Sequence, residues 1–118
     1  YTQRNITMHK SILLLASLAC ASVALASKVI SVKNNDGSKS QAFKIQDNQR
    51  YCLCISGTQT AQIDGRSGGQ VRLFSKSDCT GNFADGGGVT KNAQWVNSVS
   101  FGKSGIPSQD WGVTCKWY

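Results

Sequence analysis

The sequence predicts an all-β domain, a small antiparallel sandwich or barrel held by two disulfides. Three observations carry this. Short apolar runs alternate with a period of two and are separated by clusters of Gly, Asn and Asp. Downstream of residue 26 no window shows a helical period, and no repeat of solenoid length occurs. Four cysteines, Cys52, Cys54, Cys79 and Cys115, lie in that downstream part. An even count in a small secreted chain reads as a disulfide framework.

The secretory reading comes from the first residues. Met8, His9 and Lys10 form a basic start, residues 12–26 (ILLLASLACASVALA) an apolar run, and Ala24-Leu25-Ala26 a small-residue cleavage site. The run is shorter than the roughly 20 residues that a spanning helix needs. The expected organisation is an upstream leader or scar over 1–7, a signal peptide over 8–26 and a single secreted, extracellular β domain over 27–118. The sequon Asn5-Ile6-Thr7 and the fifth cysteine, Cys20, fall in the part expected to be removed.

Within 27–118 the elements follow in order. Residues 28–33 (KVISVK) are β-branched and read as a first strand. Asn34-Asn35-Asp36-Gly37-Ser38 is a turn, with Asp36-Gly37 a strong hairpin signal. Residues 41–46 (QAFKIQ) place Phe43 and Ile45 on one face. Residues 50–56 (RYCLCIS) form the next strand, with Cys52 and Cys54 on one face and Leu53 on the other. Residues 60–64 are a short strand, and 70–76 (QVRLFSK) alternate again, with Val71 and Leu73 on one side. A turn around Cys79 and Gly81 follows. Gly86-Gly87-Gly88 has an entropic cost inside any regular element and is expected to be a flexible loop. Residues 94–101 (QWVNSVSF) are read as a strand with Trp95, Asn97, Val99 and Phe101 on one face. After a loop with the lone proline, Pro107, a last strand is expected over 111–118, carrying Trp111, Val113, Cys115 and Trp117 on one side.

Cys52 and Cys54 are too close along one strand to bridge each other without distortion. Each is therefore expected to pair with one of Cys79 and Cys115, which leaves two connectivities open.

The segment 74–81 (FSKSDCTG) together with 97–101 (NSVSF) resembles a Greek-key motif of the βγ-crystallin type. That resemblance implies a folded hairpin opened by Phe74, a sharp corner at Gly81, and Ser98 packed over the hairpin. Cys79 stands where the motif has its second aromatic. The motif's calcium signature would fall on Ala93 and Gln94, which supply no carboxylate, so no metal is expected there. Asn35, Asp36 and Ser38 more simply make a turn than a cation loop. In size, cysteine count and segment style (CTG, NSVSFG, GIPS) the chain is also similar to small secreted proteins of filamentous fungi, a class of effectors, elicitors and antimicrobial toxins.

The chemistry available to residues 27–118 is narrow. Their only acids are six Asp, set against eleven Lys and Arg, and the one His of the chain, His9, lies upstream. Without His, no Ser-His-Asp or Cys-His nucleophile can be assembled. Asp64, Asp78, Asp85 and Asp110 stand beside turn residues, where Asp serves the backbone. No catalytic residue, cofactor or metal is expected, and the chain reads as a non-enzyme. The basic residues are scattered, which implies solubility and weak attraction to anionic surfaces rather than specific nucleic-acid binding.

Binding remains. Trp111, between Asp110 and Gly112, and Trp117 are the candidate contact rings, and Gly86, Gly87 and Gly88 the candidate contact loop. The expected function is that of a monomeric effector- or elicitor-like protein engaging a host protein or cell-wall glycan. The competing expectation is a cationic antimicrobial or killer-toxin-like protein acting on microbial membranes or walls.

Overall fold

A computed structural model describes residues 27–112. They form nine strands: β1 (Ser27–Asn34), β2 (Ser40–Gln46), β3 (Arg50–Cys54), β4 (Thr60–Ser67), β5 (Gln70–Phe74), β6 (Phe83–Asp85), β7 (Val89–Lys91), β8 (Ser98–Gly102) and β9 (Gln109–Asp110). Two short 3₁₀ turns, Gly57–Gln59 and Ala93–Trp95, are the only helical pieces among the described residues. The all-β expectation holds.

The strands form two sheets, ordered β2-β1-β4-β7 and β6-β5-β8-β3-β9. All pairings between named strands are antiparallel except β3 with β9. The order has an internal repeat. In the first sheet β2, β1 and β4 are neighbours, while β3, which precedes β4 in the chain, lies in the second sheet. In the second sheet β6, β5 and β8 are neighbours, while β7 lies in the first. The domain is thus two four-strand Greek-key units that exchange their third strands, and neither can complete its sheet alone.

The core lies between the sheets. Ile30, Val32, Phe43, Ile45 and Ile63 from the first sheet meet Leu53, Val71, Leu73, Val99 and Phe101 from the second. Each comes from the apolar phase of its strand, and a one-residue slip would turn the whole set outward. Leu53 is buried here, while Cys52 takes the opposite face, where it bridges Cys79 with a Cα–Cα distance of 6.1 Å.

One of the expected bridges is described, Cys52–Cys79. The other needs Cys115, which lies outside the described residues, as do Val113, Trp117 and most of the expected last strand. Three expectations need correction. The strand expected over 94–101 begins only at Ser98. Asn92 adopts the left-handed conformation (φ 54°), which breaks the extended run, and Ala93–Trp95 coil into a 3₁₀ turn. The ring of Trp95 consequently leaves the face shared by Val99 and Phe101 and is 44% exposed. The Gly86-Gly87-Gly88 segment lies outside any strand, as expected, and is anchored at both ends: Gly86 N–H donates to Val71 O at 2.9 Å, and Gly65 N–H donates to Gly88 O at 2.9 Å. It links β6 and β7, two strands that the expectation omitted.

Candidate functional site

The turn after β5 is held by β8. Ser98, fully buried, accepts a hydrogen bond from Cys79 N–H at 2.9 Å and donates to Lys76 O. Asn97 Nδ2 donates to Ser75 O at 2.8 Å. Gly81 takes φ 89°, and Cys79 takes φ 57°, a conformation that costs a non-glycine residue about 1–2 kcal/mol. Phe74 packs its ring 5.8 Å from Phe83, and Arg72 lies 4.4 Å over the Phe83 ring. Phe74, Gly81 and Ser98 thus serve one corner.

The outer face of the second sheet carries a buried cation. Arg50 is only 4% exposed. Its Nε donates to Ser100 Oγ at 2.9 Å, and its Nη1 donates to Gln70 O at 3.1 Å, Lys103 O at 3.3 Å and Gly102 O at 3.4 Å. Nη2 is buried with no partner among the described residues. Burial, and next the charge of Arg72, pull the guanidinium below its usual range. It faces carbonyls and no carboxylate, so it acts as a clamp across β3, β8 and β5. Gly102 is necessary beside it: at φ 128° a Cβ would lie 2.2 Å from Gln49 O and 2.7 Å from Arg50 Cα.

Trp111 follows β9 and is half-buried. Its ring stands edge-on to Phe43 and to Tyr51, both at 5.3 Å, and tilts over Phe101 at 6.2 Å. Its backbone N–H donates to Cys52 O at 3.0 Å. The exposed part of the ring lines a cleft of about 220 Å³ with Tyr51, Lys44, Ile45 and Gln49. Core rings therefore fix the orientation of an indole that still reaches solvent. Trp111 and the Gly86-Gly87-Gly88 segment do not meet, because β9 and β6 are opposite edges of the second sheet. Sequence reasoning missed Tyr51 and Lys44: the pairing of β3 with β9 brings Tyr51 to Trp111, and the packing of the two sheets brings Lys44 there.

Five of the six Asp carboxylates have a hydrogen-bond partner. Arg66 binds Asp64 in two contacts, from Nε at 3.0 Å and Nη2 at 2.7 Å, and holds its pKa at about 2. Ser38 lowers Asp36, Lys28 lowers Asp47 and Thr80 lowers Asp78. Asp85 accepts from Gly87 N–H at 3.1 Å. Among the described residues no three His, Cys, Asp or Glu side chains group as metal ligands would. All four shifted carboxyls are depressed, so each adds stability above its unfolded pKa, near 3.8, that is lost as pH falls through the folded value. Stability to urea is expected to be level from about pH 8 to pH 5 and to fall below about pH 4. A melting transition that shifts strongly between pH 5 and 8 would contradict this.

Compared with protein-family models, curated proteins and solved structures, the chain matches none.

Proposed function

We propose that the domain is a secreted, monomeric and non-enzymatic binding protein, of the effector or elicitor kind, that engages a host protein or a cell-wall glycan. A crystallin-like Greek-key unit would be its scaffold. The observation that supports this reading is Trp111: a solvent-reaching indole, held by Phe43, Tyr51 and Phe101, beside a shallow cleft with Lys44 on its rim. Rigid amphipathic rings give contact area at little entropic cost, which suits recognition better than turnover.

The test is a pull-down with the chain from Ser27 to Tyr118 against wall polysaccharides and host extracellular extract. Retention is expected to persist in about 1 M salt, where exposed charges are screened within a few ångströms. Lys44→Ala, an exposed change that leaves the core intact, is expected to weaken retention several-fold without altering the melting temperature. Retention that vanishes in salt, with growth inhibition of microbes instead, would favour the cationic antimicrobial alternative. Empty pull-downs in both arms would remove the binding reading.

A further inference from the structure

We propose that the end of the sandwich formed by the two 3₁₀ turns is a second binding site, with Trp95 as a stacking platform for a neutral oligosaccharide. This rests on the binding reading above, and names a site and a ligand class that the reading leaves open.

Trp95 is the most exposed tryptophan of the described residues, at 44%. Its base is rigid. Ala93, two residues before it, is fully buried, Val96 N–H donates to Ala93 O at 3.0 Å, and Asn97 N–H donates to Phe74 O at 2.9 Å. The two turns press together closely: a Cβ on Gly57 would lie 2.5 Å from both Gln94 O and Val96 O. Gly57 N–H is also bound by Asn97 Oδ1 at 3.1 Å. An exposed indole on such a base is presented to a ligand without an ordering cost.

Gln94, the residue before Trp95, heads a network of uncharged hydrogen bonders. Gln94 Nε2 donates to Asn35 Oδ1 at 2.8 Å, and Asn35 Nδ2 donates to Thr58 O at 2.6 Å. Asn35 N–H donates to Gln59 O at 3.0 Å, and Ser56 Oγ lies 3.5 Å from Thr58 Oγ1. These contacts orient the Gln94 and Asn35 amides while leaving capacity on each, since an amide offers two donors and a two-lone-pair acceptor. Fixed amides beside an exposed indole match the two sides of a sugar ring: C–H groups stack on the aromatic face and hydroxyls bond the amides. No Lys, Arg or Asp takes part in these hydrogen bonds, so the network itself carries no formal charge. A protein hot spot would require a desolvated apolar centre around the ring, whereas the adjoining residue Gln94 heads a network of amides and hydroxyls.

The test is calorimetric titration of the Ser27–Tyr118 chain with laminarihexaose, cellohexaose and chitohexaose, in low and high salt, with Trp95→Ala, Trp95→Tyr and Gln94→Ala. The parent is expected to bind at least one of the three equally well in both salts. Trp95→Ala is expected to weaken that binding about tenfold or more, and Trp95→Tyr to retain most of it, with melting temperatures unchanged because the ring lies outside the core. Gln94→Ala is expected to weaken it several-fold. No binding of any of the three, or binding that Trp95→Ala leaves intact, overturns the proposal. If wall polysaccharides still retain the parent and Trp95→Ala alike, this site falls and the binding reading stands.

Discussion

Replacing Arg50 with methionine is expected to destabilise the domain by about 1–3 kcal/mol, the cost of leaving the buried Gly102 carbonyl and the part-buried Gln70 and Lys103 carbonyls without their donor. Methionine keeps much of the apolar stem but removes every donor. Ser100 Oγ keeps Ser108 Oγ, 2.8 Å away, as a partner. The Gln70, Gly102 and Lys103 carbonyls lose the cation; they lie at the start of β5, at the end of β8 and just beyond it. The Lys103 and Gly102 contacts are long, at 3.3 and 3.4 Å, so the Gln70 carbonyl and the Nε bond to Ser100 carry most of the effect. Arg50→Lys is the informative companion. It keeps the charge but cannot reach a hydroxyl and several carbonyls in fixed directions, and should recover only part of the loss. Urea titration of both variants measures this. A loss below about 1 kcal/mol for the methionine variant would show that water can replace the guanidinium at these carbonyls.

The parts of this fold that could be read from the sequence are those that bury side chains. Strands β1, β2, β3, β4 and β5 each lay an apolar phase on the core, and the period of two in Val71 and Leu73, or Phe43 and Ile45, marks it. The parts that could not be read are those that only complete hydrogen bonding. Strand β6 is exposed throughout, and β7 is three residues long, so both exist because Arg72–Asp85 and Ile63–Thr90 pair. Nothing in a pattern of burial announces them. Trp95 was misplaced for a related reason: the alternation QWVNSVSF continues through it, but the left-handed Asn92 and the closing bond of Val96 to Ala93 override the pattern locally. Trp111, a candidate contact ring from its place between Asp110 and Gly112, is half-buried. Its neighbours Tyr51 and Lys44 depend on the pairing of β3 with β9 and on how the two sheets meet, which no local signal encodes.

Removing the Cys52–Cys79 bridge by double substitution to alanine is expected to cost about 3–4 kcal/mol, from the closure entropy of the loop that the bridge ties. That loop spans 27 residues. It begins on β3, runs through β4 and β5, and ends in the turn that Ser98 holds. It therefore joins the third strand of the first Greek-key unit to the hairpin of the second, across the strand exchange. Breaking it should leave the folded arrangement intact, because Cys52 lies opposite the core face and Leu53, Val99 and Phe101 keep their contacts. The loss should appear as a lower urea midpoint with an unchanged far-UV spectrum. Substitution is the sharper probe than a reducing agent, since it leaves Cys54 untouched. A second variant separates entropy from local geometry. If the bridge mainly holds Cys79 at φ 57°, then Ser98→Ala, which removes the acceptor for Cys79 N–H, should become more costly without it. If the bridge acts on the unfolded chain, the two losses should add within about 0.5 kcal/mol. A double-alanine variant as stable as the parent would mean that the exchange of third strands alone holds the two units together.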